Sequence, residues 1–267
     1  MPAVSSNNQT VYYESHGQGH PLILIRGLGS NADHWYPQVP DLSAHFRVIV
    51  FDNRGIGRSS DPGDEFSIRD MAEDTIALMD AIGIEQAHVL GVSMGGMIAQ
   101  EIAINHPSRV KNLILVVTHC GGEAQVKAEK SIAQLVEEMV TVGTPESKFK
   151  ALPAFFDART LQTNIECAQK YGAVSLKYPA DARILSRQWQ AVRGHDAFDR
   201  LPSIQAPTLV LGSPGDVLIP PGNSEILARH IPSARLVMIP GGGHQILIEQ
   251  PQACNQAVIE FLKTAAK

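Results

Sequence analysis

Six apolar runs in the chain are continuous rather than alternating: Leu22–Ile25, Val48–Phe51, His88–Val92, Leu113–Val117, Thr208–Leu211 and Leu236–Ile239. A strand with one wet face alternates apolar and polar residues. A continuous run of β-formers suits a strand buried on both faces, as in a parallel sheet covered by helices. The intervening segments carry helical spacing. Ile68, Met71, Ala72, Thr75, Ile76, Met79 and Ile82 form one apolar stripe, Ser67 with Asp70 reads as a capping box, and Gly83 as the stop. Met94 to Asn105 reads as a second helix, ended by Pro107. Pro251 opens a last amphipathic helix that turns Cys254, Val258, Phe261 and Leu262 inward. Val11-Tyr12-Tyr13, followed by the turn-like Gly17-Gln18-Gly19, predicts an antiparallel edge hairpin ahead of the first buried strand.

The strand–helix alternation stops between about Cys120 and Ala206. That stretch is helical or loop-like and holds Phe149, Phe155, Phe156, Tyr171, Tyr178 and Trp189. The prediction is an α/β fold whose mostly parallel central sheet is flanked by helices. Its core would comprise residues 1–119 and 196–267, with a helical cap at 120–195 inserted after the sixth strand.

Composition narrows the function. The 267 residues carry a formal net charge of −5 and 44% hydrophobic residues. No basic block could neutralise a run of phosphates, so a nucleic-acid partner is not expected. No run approaches the ~18 apolar residues of a membrane span. The start "MPAVSSNNQT" lacks the basic end and apolar stretch of a secretory signal, so the expected address is cytoplasmic. Three scattered cysteines (Cys120, Cys167 and Cys254), with no C-x-x-C spacing, read as buried or half-buried thiols rather than zinc ligands or disulfides. Neither a glycine-rich phosphate loop nor a metal-ligand cluster is evident, so no cofactor and no metal are expected. The expected assembly is a monomer or homodimer.

Chemistry enters at Gly91-Val92-Ser93-Met94-Gly95, a G-x-S-x-G motif set directly between a predicted strand and a predicted helix. A serine there sits on a sharp, strained turn, and its neighbours must be small for strand and helix to approach. Its hydroxyl lies at a helix N-terminus, where free N–H groups favour negative charge. The backbone N–H of Met94 is thus a first oxyanion donor. A serine needs a base. His244 follows Gly241-Gly242-Gly243 just after a strand, and Asp216 lies just beyond the strand Thr208–Leu211. All three residues fall on the carboxyl edge of the predicted sheet, where open α/β folds bind ligands.

At these residues the chain resembles the α/β-hydrolase family, whose triad runs Ser…Asp…His. Asp52-Asn53-Arg54-Gly55-Ile56-Gly57-Arg58-Ser59 is similar to the family's D-x-R-G-x-G-x-S turn. "PTLVLGSPGDVLIPP" and "IPGGGHQILIEQP" are similar to its acid and histidine segments, and "FDRLPSIQAPTLVLG" to the return from lid to core in small esterases and enol-lactonases. The resemblance implies Ser93 as nucleophile, His244 as base, Asp216 as its acid partner and the Leu28 N–H as second oxyanion donor. It also implies a carboxylic ester or enol-lactone as small-molecule substrate. Two alternatives stay open: cleavage of carbon–carbon bonds in ring-fission products, and a slow-turnover receptor on the same fold. The carbon–carbon hydrolases carry an aromatic residue after the histidine, where this chain has Gln245, and a lid arginine, for which Arg159, Arg183 and Arg187 are available. The chain departs from the family's His-Gly at Arg26-Gly27. Arg26 is expected either to pair with a nearby carboxylate or to read an anionic substrate. His119, at a strand end, and Trp189, in the cap, complete the candidate substrate contacts.

Overall fold

Each continuous run becomes a strand of one eight-stranded sheet in the computed structural model, which describes residues 3–6, 9–61 and 63–264. The strands are β1 (Ala3–Ser6), β2 (Gln9–His16), β3 (Pro21–Ile25), β4 (Arg47–Phe51), β5 (Ala87–Val92), β6 (Val110–Val116), β7 (Thr208–Gly212) and β8 (Arg235–Met238), in the order β1-β2-β4-β3-β5-β6-β7-β8. From β4 through β8 all neighbours are parallel; β1 and β2 are antiparallel additions. The outermost residues of the predicted core, 1–2 and 265–267, lie outside the described residues.

Twelve helices accompany the sheet among the described residues. Three precede β6: α1 (Val39–Ser43), α2 (Ile68–Ala81) and α3 (Met94–Asn105). Between β6 and β7 come α4 (Lys130–Val142), α5 (Pro145–Lys150), α6 (Leu152–Phe155), α7 (Ala158–Thr163), α8 (Ile165–Lys177) and α9 (Ala182–Arg193). The chain then adds α10 (Gly222–His230), α11 (Ile246–Glu249) and α12 (Pro251–Thr264). None is long and apolar enough to cross a membrane. The predicted caps form: Ser67 and Asp70 close a capping box on α2, and Gly83 takes φ 69° beyond its end.

The continuous runs are explained by two cores. Ile23, Ile25, Ile49, Val89, Leu113, Leu115 and Val210 pack with α2 and α3 on one face. Their alternate neighbours Leu22, Leu24, Val48, Val50, Leu90, Ile114, Val116, Leu209 and Leu211 pack with Leu42 and with Cys254, Val258, Phe261 and Leu262 of α12 on the other. The period of two is present but hidden, because both faces are dry. Cys120 and Cys254 are buried and Cys167 half-buried, all three as free thiols.

Two strand expectations need correction. The turn at Gly17–Gly19 closes no hairpin: β2 pairs with β1 on one side and β4 on the other, because β3 has both edges occupied by β4 and β5. The run at Leu236–Ile239 is not buried on both faces either. It forms β8, the sheet edge, and its residues are half-buried to exposed.

The helical run α4–α9 leaves and rejoins the sheet at one neck. Gly121 and Asp196 form an isolated β-bridge, the Gly122 N–H donates to the His195 carbonyl at 3.1 Å, and the Ala197 N–H donates to the Cys120 carbonyl at 2.8 Å. Val136, Val140, Ala154 and Leu185 form its own small apolar cluster, against which Leu28 packs.

Candidate active site

Ser93 is the single residue between β5 and α3 and has φ 56°, ψ −122°. That conformation is rare for any residue with a Cβ and persists only where the surroundings over-determine it. Here they do. A Cβ at Gly91 would lie 2.1 Å from the Gly95 carbonyl oxygen, and one at Gly95 would lie 2.1 Å from that of Ile25. Gly96 abuts the Thr118 side chain. The Ser93 N–H donates to the Val116 carbonyl at 3.0 Å, and the Ser93 carbonyl accepts the Thr118 hydroxyl at 2.7 Å and the Gly96 N–H at 2.8 Å. The Ser93 hydroxyl makes no capping bond to α3.

His244 and Asp216 are brought together from loops after β8 and β7. His244 Nδ1 lies 2.8 Å from Asp216 Oδ2, and both side chains are buried. The other carboxylate oxygen accepts the Leu218 and Ile219 N–H groups at 2.9 and 2.8 Å. The histidine loop is tied to the helical run: the Gln245 N–H donates to the Phe155 carbonyl at 2.8 Å. Glu249 accepts the Gly243 N–H at 2.8 Å and the Asp157 N–H at 2.9 Å, bridging the two segments. Burial raises its carboxyl above the ordinary glutamate value.

The loop after β3 passes directly beside the serine; a Cβ at Gly27 would stand 3.1 Å from Ser93 Cβ. Among the described residues the Leu28 N–H bonds no backbone or side-chain acceptor. The next N–H, of Gly29, donates to Gln188 Oε1 of α9 at 2.9 Å, so a fully buried side chain of the helical run shapes this loop.

Ser93, Leu28, Met94, His119 and Trp189 line one cavity of about 640 Å³, together with apolar side chains such as Phe155 and Leu218 and polar ones such as Glu123, Lys127 and Arg193. Asp216 and His244 are not part of this lining, but Leu218 and Ile219, whose N–H groups bind Asp216, are. The Phe155 ring lies 6.0 Å from the His244 ring, and His119 is close enough to feel its charge. The described residues hold no group of three or more histidines, cysteines or acids placed to bind a metal.

Arg26 corrects both expectations. It is 2% exposed, is absent from the cavity lining and, among the described residues, pairs with no carboxylate. Its guanidinium stacks 4.8 Å over the Trp35 ring, its Nε and Nη1 have no protein acceptor, and burial lowers its pKa. Burial, and after it the charge of Arg26, hold His34 down at about 3. Of the three arginines expected to be available, none lines the cavity: Arg187 binds Asp61, Arg183 binds Asp181, and Arg159 is absent from the lining, whereas Arg193 of α9, which sequence reasoning did not single out, is part of it. Sequence reasoning missed Thr118 and Gln188, which belong to no motif, and Glu249, which lies in the histidine segment without an assigned role.

The α/β-hydrolase fold family model matches residues 20–251. The carbamate hydrolase RutD assigned in Azorhizobium caulinodans is 31% identical over 98% of this chain and 98% of its own. The enol-lactonase from Burkholderia xenovorans LB400 superposes with a TM-score of 0.89 at 26% identity, covering 98% of this chain and all of that one. A thermophilic esterase from Thermogutta terrifontis superposes with a TM-score of 0.87 at 26% identity, covering 100% of this chain and 99% of that one.

Proposed function

The chain belongs to the α/β-hydrolase fold family, and on that premise we propose that it hydrolyses small carboxylic esters or enol-lactones through an acyl-enzyme on Ser93. The observation that carries this reading is a serine strained to φ 56° at the wall of a cavity that borders a buried His244–Asp216 pair. With its Nδ1–H donated to Asp216, His244 offers the Nε2 lone pair as base. Ser93 Oγ attacks the acyl carbon as its proton passes to His244. The N–H groups of Leu28 and Met94 stabilise the oxyanion, each worth roughly 3–4 kcal/mol if removed. His244 then protonates the leaving oxygen and afterwards takes a proton from the water that releases the acid. Residues 120–195 serve as the cap over the core, and their Trp189, Phe155 and Val136 side chains bound the substrate.

The relatives support acyl chemistry: RutD is assigned to carbamates and the two solved structures to an enol-lactone and esters. The test is a hydrolysis panel of p-nitrophenyl esters of rising chain length, with enol-lactones, carbamates and a dienoate ring-fission product alongside. Steady turnover of esters or lactones, abolished in Ser93→Ala, is the expected result. Activity surviving in Ser93→Ala overturns the assignment, and a single-turnover burst would favour a receptor.

A further inference from the structure

His119 stands in the cavity wall with one ring nitrogen engaged. The Gly121 N–H donates to His119 Nδ1 at 3.0 Å, which makes that nitrogen an acceptor and puts the ring proton on Nε2. Burial, reinforced by the nearby His195 and His244, lowers the pKa to about 3, so the ring is neutral wherever esters are turned over. No residue among those described accepts from Nε2.

The turn that presents this ring is fixed on every side. Val117 takes φ 40°, a conformation that β-branched residues avoid and that costs on the order of 1–3 kcal/mol. Thr118, next in the chain, is the residue that holds the Ser93 carbonyl. The His119 carbonyl accepts Gln100 Nε2 at 3.1 Å. Gly121, at φ 77°, packs so closely on the His195 carbonyl that a Cβ would lie 1.9 Å from its oxygen. The nucleophile and the imidazole are therefore held by one piece of backbone. The wall around them is mixed: Leu28, Met94, Met97, Phe155 and Leu218 are apolar, while Glu123, Gln125, Lys127, Glu137 and Arg193 bring polar groups to the same cavity. A substrate that fills the cavity strips water from this N–H, and the lost bond is replaced only if the occupant supplies an acceptor.

We propose that His119 is a substrate-reading donor, its Nε2–H bonding an ether, keto or carboxylate oxygen borne by the substrate one or two carbons from the reacting ester group. This inference rests on the reading of Ser93 as nucleophile and adds to it a substrate class: esters with a second oxygen beside the scissile group, preferred over apolar esters of equal shape. Because its lone pair on Nδ1 is taken by the Gly121 N–H and its proton sits on Nε2, the ring donates to substrate and takes no part as a base.

Two isosteric substrate pairs test it. p-Nitrophenyl methoxyacetate against p-nitrophenyl butyrate places the extra oxygen on the acyl side, and 2-methoxyethyl acetate against butyl acetate places it on the alcohol side. The wild type should favour the oxygen-bearing member of one pair. His119→Phe should reduce that ratio of kcat/KM by about 10- to 100-fold, the effect of one hydrogen bond to an otherwise orphaned donor. His119→Gln, which keeps an N–H, should restore most of it. Independently of turnover, ring ¹⁵N shifts at pH 7 should identify Nε2 as the protonated nitrogen. Ratios unchanged by His119→Phe in both pairs, or a proton on Nδ1, overturn the proposal. A wild type inactive on all four esters, or turnover persisting in Ser93→Ala, would instead overturn the underlying functional reading.

Discussion

His244 Nδ1 lies 2.8 Å from Oδ2 of Asp216, while Oδ1 of the same carboxylate is occupied by the Leu218 and Ile219 N–H groups. The acid is thus held by two backbone donors and aimed by its remaining oxygen. Asp216→Asn keeps an oxygen for the backbone but turns an amide N–H₂ toward the histidine. His244 must then carry its proton on Nε2 and can no longer act as the base. A loss in kcat of roughly 10⁴-fold is expected, with a near-native Tm. Steady-state kinetics that retained a tenth or more of wild-type kcat would contradict the assigned roles.

Arg26 is a buried guanidinium without a carboxylate, stacked on Trp35 and outside the cavity lining. A buried charge without a counter-ion, helped here chiefly by the Tyr171 hydroxyl, costs more than a well-packed apolar side chain of similar length. Arg26→Met should therefore leave Tm unchanged or raise it by a few degrees, whereas Arg26→Ala lowers it by opening a void. Relative kcat/KM for acidic and neutral esters should not change. A selective loss on acidic esters would show that substrate does reach this group.

Two glycines in helices should respond to alanine with opposite signs. At Gly95 of α3 the added methyl would lie 2.1 Å from the Ile25 carbonyl oxygen, a rigid backbone atom, while at Gly172 of α8 it meets nothing within 4 Å. Gly95→Ala should cost about 3 kcal/mol or more and strip activity with it. Gly172→Ala should stabilise by roughly 0.5–1 kcal/mol, the ordinary glycine penalty in a helix. Urea unfolding of both variants checks the pair; a Gly95→Ala protein of native stability would mean that strand and helix are not so closely apposed.

Acid should destabilise the protein before its carboxylates titrate. Burial lowers the pKa of His34, His88 and His119 to about 3 and that of His195 to about 4, from an ordinary 6.5. Between those values and 6.5 the unfolded chain binds protons that the folded chain refuses, so stability falls as pH falls. The histidine contribution is complete above about pH 6.5 and is lost progressively toward pH 4 and below. Calorimetry should give a Tm that declines steadily from pH 6.5 to 5, with a shallower decline when His88 is replaced by Gln. A flat Tm across that interval would show that these rings are protonated in the fold.

Local physics made much of the molecule readable in one dimension. Dry strands show as unbroken runs of β-formers, the Ser67–Asp70 box starts α2, and glycines two residues either side of Ser93 announce a turn too tight for a Cβ. Asp216 and His244 were legible because each follows a strand end, and in a parallel sheet strand ends share an edge. Tertiary structure alone decided the rest. The partners of β2, the exposure of β8 and the burial of Arg26 away from any carboxylate among the described residues depend on which elements lie beside them, not on neighbours in the chain. The contacts that hold the site depend on this most: Thr118 reaches back to Ser93 across 25 positions, and Gln188 to Gly29 across 159. A hydrogen bond or a buried charge is set by distance in space, and only the folded topology brings such positions within a few ångströms.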